Sequence, residues 1–193
     1  MRIEAKTLEN GFVRLEPHAA VHREGLHAAA AGDQALFAYM PADISGSGFD
    51  RWFDWTTSVS TGERELAFTV RRLSDARIVG STRYLNIELA HKRVEIGHTW
   101  YAREAWGGPV NPSCKLLLFQ FGFEALKLNR IELKCDARNL RSRAAIAKLG
   151  AREEGTLRRH MVMPDGYVRD TVYFSVLAEE WAAVRTGLER RLV

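Results

Sequence analysis

Cysteine is scarce in this chain. Cys114 and Cys135 are the only two among 193 residues, too few for a disulfide framework and without the spacing of a zinc site. Both are expected as reduced thiols. No run approaches the roughly 18 apolar residues of a membrane span, and the opening MRIEAKTLENG lacks the apolar centre of a signal peptide, so a cytoplasmic protein that does not enter membranes is expected. The single Asn-x-Ser/Thr triplet, Asn111-Pro112-Ser113, carries proline in the middle and is no glycosylation acceptor. His18, His22 and His27 lie on or near one helical stretch, but only the first two share a face and no carboxylate completes a ligand set, so no metal is expected. Repeats, low-complexity tracts and linkers are also missing. With 46% hydrophobic and 27% charged residues, residues 1–193 read as one well-buried domain.

Charge is present but uneven. Residues 127–169 hold 11 Lys/Arg against 5 Asp/Glu, a net of +6, whereas the rest sums to −2 and the whole to +4. A solvated basic face is the plain explanation, and an anionic ligand or partner the sharper one.

Periodicity gives the order of elements. A strand at 11–17 ends on proline, and helices follow at 19–31 and 48–60. Strands at 65–72, 77–86 and 93–101, parted by turn signals, suggest an antiparallel meander. An apolar helix over 113–127, a strand at 130–137, a helix at 139–150, strands near 152–162 and 167–177, and a helix at 179–191 complete the chain. Asp165-Gly166 marks a hairpin turn.

The stretch EAWGGPVNPSCK, residues 104–115, joins the third meander strand to the apolar helix. Asn111 suits an N-cap and Pro112 a first helical position, which turns the positive helix end toward the glycines. Gly107 and Gly108 allow close approach of the backbone. A strand, a glycine loop and a helix N-terminus form an anion site, typically for phosphate. The segment lacks the Gly-Lys-Ser/Thr ending of a P-loop and the dinucleotide glycine pattern, so what remains is a phosphate loop on a mixed sheet.

The succession of the EIG strand, Trp106-Gly107 to Asn111, apolar helix, strand, and then Asn139-x-x-Ser142-Arg143 to Lys148-Leu149-Gly150 resembles the GNAT superfamily of N-acetyltransferases, RimJ/RimL-like branch. The similarity is greatest from RIELKCDARNLRSRAAIAKLG to the VYFSVLAEEW stretch and extends over nearly the whole chain. It implies an α/β fold of the mixed α+β kind, with a mostly antiparallel sheet of about seven strands flanked by helices and splayed between the fourth and fifth, here 93–101 and 130–137. Acetyl-CoA would be the co-substrate. Its pantetheine arm would run along Thr99, Trp100 and Tyr101, and its pyrophosphate would sit on Trp106, Gly107, Gly108, Val110 and Asn111. Asn139 and Ser142 would line the thiol end, and Arg143 would reach the phosphates. Pro109 and Asn111 replace the last two small residues of the usual loop, which removes one backbone donor. Ile146 stands where many relatives carry a tyrosine acid, leaving Ser142 as the substitute.

An amine attacks only when neutral, so an ammonium acceptor needs a base. Glu95 matches the family's base position, with a carboxylate paired to Arg93 or Arg130 as the structural alternative; His160 and Asp170 are rival bases. His98 reads as a packing histidine, Cys135 as an inert thiol, and the Trp52/Trp55 and Phe119/Phe123 stripes as core, with either tryptophan able to edge a groove. The acceptor expected is the α-amine of a protein or peptide, a ribosomal protein among the candidates; a homodimer is compatible with this. The alternatives are a small amine such as a polyamine or antibiotic, a CoA-binding regulator without catalysis, and an RNA- or ribosome-binding module, nucleic acid being the weaker expectation.

Overall fold

A computed structural model describes residues 2–193. Among these residues eight strands form one sheet: β1 (Leu8–Glu9), β2 (Val13–Pro17), β3 (Leu66–Arg72), β4 (Ile78–Glu88), β5 (Arg93–Tyr101), β6 (Arg130–Asp136), β7 (Arg152–Val162) and β8 (Val168–Leu177), in spatial order β1-β2-β3-β4-β5-β6-β8-β7. The expected seven become eight through the two-residue β1, too short to carry a period-2 pattern. All neighbours are antiparallel except β5 and β6, whose parallel crossover is made by α3 (Val110–Gln120).

That parallel pairing is short. It runs through Arg93–Arg130, Val94–Ile131 and Glu95–Glu132 and goes no further, while β5 continues to Tyr101 and β6 to Asp136. Beyond Glu95 the strands part, which is the expected splay.

Alternation along the strands sends two sets of side chains to opposite faces. Ile96 and Tyr101 of β5, Ile131, Leu133 and Cys135 of β6, and Val172, Phe174 and Val176 of β8 join the main core with α3 and α5 (Trp181–Glu189). The other face is covered by α1 (Arg23–Ala30) and α2 (Phe49–Val59), where Leu26, Phe49, Trp52 and Phe53 enclose Trp100. Trp52 is therefore core, while Trp55 is 41% exposed. Arg83, wholly buried, pins α2 to the sheet through Thr56 Oγ1 at 2.9 Å and Glu65 at 2.8 Å.

Three local differences from the sequence reading have physical causes. The first intrahelical bond of α3 runs from Ser113 N–H to the Pro109 carbonyl at 2.9 Å, so Pro109, and not Asn111, is the N-cap. Pro112 then sits in the first turn, where a missing N–H costs nothing. Residues 121–125 of the continuing helix are π-helical, with Leu126 N–H bonded to the Phe121 carbonyl, and the Tyr84 hydroxyl donates to the Leu118 carbonyl just before that widening. The stretch expected as helix from residue 19 begins as a 3-10 turn, Ala20–His22. The hairpin at Asp165-Gly166 is present, with Gly166 at φ 83°. Among the described residues, no helix is long and apolar enough to cross a membrane.

Candidate active site

The splay opens into a cavity of about 500 Å³. Its walls are the unpaired half of β5, the end of β6, the loop at Trp106, the start of α4 (Leu140–Ala147), and the 36–41 loop with Met161 and Arg169.

The loop end is rich in donors. Backbone N–H groups of Gly107, Gly108, Val110 and Asn111 meet no acceptor among the described residues. Gly107 adopts φ 73°, and an added Cβ at either glycine would meet nothing within 4 Å. Trp106 holds this loop down: its indole N–H donates to the Tyr101 carbonyl at 2.9 Å. The Arg141 guanidinium lies 3.5 Å over the Trp106 ring. One helical turn beyond Asn111, and so on the same face, Lys115 also enters the cavity. It is 4% exposed, its ammonium contacts Thr99 Oγ1 at 3.0 Å, and burial pushes its pKa down to about 8.

Several expected residues sit elsewhere. Arg143 pairs with Glu153 at 3.1 Å and does not line the cavity; on α4 it is Arg141, two positions earlier, that does. Val110 faces the core, so only its backbone is available to the loop. Thr99, Trp100, Tyr101, Trp106, Gly107, Asn111, Asn139 and Ser142 line the cavity, whereas the glycine at 108 flanks it. Asn139 is the N-cap of α4, accepting from Ser142 N–H at 2.9 Å. Ile146 makes that wall apolar. Only Lys134, Arg141 and Arg169 of the basic segment reach the cavity; Arg130 and Arg138 are engaged by acidic neighbours.

Glu95 stands where β5 and β6 separate, 1% exposed. Its carboxylate takes Asn86 Nδ2 at 2.9 Å and Lys134 Nζ at 2.9 Å, while Arg93 and Arg130 turn to Glu132. Desolvation raises its pKa, and Lys134 with Asn86 opposes that shift. His98 also lines the cavity; it sits at a bulge with φ 47° and packs on Trp55 at 5.9 Å between centroids. Burial, with Arg83, Lys134 and Arg169 nearby, pushes its pKa down to about 3, which leaves it too weak a base to hold a proton at neutral pH. The two other candidate bases do not line the cavity. His160 is exposed and packs edge-on to Tyr173, and the Asp170 carboxylate accepts the Arg159 N–H at 2.6 Å. Cys135 lines the cavity with its thiol pKa raised by burial.

Sequence reasoning missed Lys115, Arg141, Lys134 and Arg169. The spacing from Asn111 carried a signal for Lys115, the one cation in an otherwise apolar helical run.

Residues 13–152 match the family model described as an acetyltransferase (GNAT) domain. A GCN5-related N-acetyltransferase of Brucella melitensis superposes over 100% of this chain and 88% of its own, with a TM-score of 0.92 and 30% identity. RimJ of Mycobacterium smegmatis, solved with CoA-disulfide, gives a TM-score of 0.79 at 25% identity over 97% of this chain and 94% of its own. YdaF of Bacillus subtilis, provisionally named a ribosomal N-acetyltransferase, is 34% identical over 56% of this chain; the match spans 58% of that relative's length.

Proposed function

This chain belongs to the GNAT acetyltransferase family, and from that membership we propose that it transfers an acetyl group to the α-amine of a protein or peptide. The observation that carries the reading is the end of β5–β6 pairing at Glu95, which sets a buried carboxylate at the apex of a cavity with an open strand edge on one wall.

The residues fit acetyl-CoA. An unpaired edge from Ile96 onward suits an amide-bearing arm laid like a strand, and the four free N–H groups with Lys115 and Arg141 suit phosphates. Prolines 109 and 112 offer no N–H, and the Lys115 ammonium supplies positive charge to the same region. When bound, acetyl-CoA supplies the activated acetyl group. Glu95 accepts the proton that the acceptor ammonium must lose, a role to which its raised pKa is suited. Lys134 steadies the ionised form, and Ile146, Leu133 and Leu149 keep water from the wall beside Ser142.

The acceptor enters on the side of the cavity lined by Tyr39 and Met161. There Arg138 lies 3.4 Å over the Tyr167 ring and 5.6 Å over that of Tyr39, joining the β7–β8 hairpin to the 36–41 loop. The provisional name of the Bacillus relative supports a protein acceptor, ribosomal proteins included. Acetylation assays with N-terminal peptides, polyamines and aminoglycosides test the reading: turnover of peptides is expected, and turnover confined to polyamines or aminoglycosides overturns the α-amine assignment.

A further inference from the structure

Three cavity cations, Lys115, Arg141 and Arg169, have no carboxylate within 4.0 Å among the described residues. The first two flank the phosphate loop. Arg169 does not: it follows the alternation of Thr171, Tyr173 and Ser175 on β8, opposite Val172, Phe174 and Val176, which face α3 and α5. It therefore lies on the α1/α2 side, with Lys134 and Asp136 of β6, where the acceptor enters.

Arg169 is 5% exposed, and among the described residues its one side-chain partner is the Thr171 hydroxyl, reached by Nε at 3.1 Å. A guanidinium has five N–H donors. Among the described residues both terminal nitrogens are left without a protein acceptor, on the wall of the cavity. The nearby carboxylates are already engaged. Asp136 takes the Arg138 backbone N–H at 2.9 Å, Nε at 3.1 Å and Nη2 at 2.8 Å. Glu95 is held by Lys134 and Asn86, and Asp170 by the Arg159 N–H.

We infer that Arg169 receives a carboxylate carried by the acceptor, so that this cavity selects amines whose own or adjoining residue is acidic. Glu95 meets the amine and Arg169 the acid. The guanidinium fork matches a carboxylate through two parallel N–H bonds, and leaving it unpaired against a neutral acceptor forfeits them. The inference rests on the acetyltransferase reading above and names the chemistry of its acceptor; a free amino acid would take the place of the protein or peptide proposed there. The carboxylate has two sources, an acidic side chain at a peptide N-terminus or the α-carboxylate of a free amino acid.

The test compares kcat/KM for the amides of Asp-Ala and Glu-Ala with those of Asn-Ala and Gln-Ala, and for free alanine with alaninamide. A 10- to 100-fold preference for the acidic member of at least one set is expected, of about the size of a charge-assisted hydrogen bond, and the set that shows it identifies the source. Arg169→Gln is expected to abolish that ratio and Arg169→Lys to keep part of it, with CoA affinity retained in both as proof of folding. Calorimetry adds a readout without turnover: acetyl-Asp-Ala amide should bind the CoA-loaded protein at least tenfold tighter than acetyl-Asn-Ala amide, and equally in Arg169→Gln. Equal rates across both sets, or a preference that survives Arg169→Gln, overturns the inference while leaving the acetyltransferase reading intact. Tight CoA binding with no turnover of any amine overturns both.

Discussion

The Lys115 ammonium rests 3.0 Å from the Thr99 hydroxyl, with Thr99 in turn 2.7 Å from Thr82 Oγ1, and this is a neutral cradle for a buried charge. Its pKa of about 8, against 10.5 for an ordinary lysine, means that the folded protein binds fewer protons than the unfolded chain between those values. The penalty is complete below about 8 and disappears as pH passes the unfolded value. Lys115→Met is therefore expected to stabilise the ligand-free protein at pH 7 by about 3 kcal/mol, with the gain fading toward pH 10.5, and to weaken CoA binding about tenfold or more. Denaturation as a function of pH, together with calorimetry, reads both. A destabilised Lys115→Met protein with unchanged CoA affinity would make the lysine a structural element.

Two arginines on α4 are expected to separate cleanly. Arg141→Ala should weaken CoA binding about tenfold, because it removes both a cation at the loop and the cover of the Trp106 ring. Arg143→Ala should change it less than about twofold, since an exposed pair with Glu153 contributes little. Titrations that rank the two in the opposite order would return the phosphate role to Arg143.

Glu95→Gln should keep acetyl-CoA affinity and lower turnover by about 10²- to 10⁴-fold at neutral pH. Desolvation raises the Glu95 pKa, so kcat/KM of the wild type should fall on the acid side at a pH above the usual glutamate range, and the variant should lack that limb. For an α-amine acceptor, with a pKa near about 8, the defect should shrink as pH approaches 9. Turnover unchanged at pH 6.5 to 7 would remove Glu95 from the chemistry.

The glycine pair allows a test of the loop. At Gly107 the φ of 73° strains any β-branched side chain. Gly108, which lacks that constraint and has open space around its missing Cβ, is the cleaner position. Gly108→Val should melt like the wild type and bind CoA about tenfold more weakly, whereas Gly107→Val should lose on both counts. Full CoA affinity in Gly108→Val would mean that no phosphate approaches there.

Much of this was legible because the relevant signals are local. Strand alternation in RVEIGHTWY, turn residues between the meander strands, and the helical run after Asn111 fix elements to within a few residues. The exact start of α3 was not legible, since Pro109, Asn111 and Pro112 all suit a helix entrance and only tertiary placement of Val110 in the core decides among them. Nor was the partner of Glu95. Lys134 lies 39 positions away on a parallel neighbour, and its approach depends on register at the splay. Arg143 and Arg141 point in different directions on α4, and which one meets the cavity depends on how that helix is rotated against β6 and β7.

The brevity of the β5–β6 ladder has a mechanical consequence. Strands β1 to β5 and strands β6, β8 and β7 are two plates riveted along one short seam, the three register pairs that end at Glu95 and Glu132. An arm laid along the open edge of β5 would act as a partial ninth strand, adding rungs beyond the seam and stiffening the angle between the plates. Glu95 sits on the last rivet, so any change in the angle between the plates would turn about the residue proposed to take the proton of the amine.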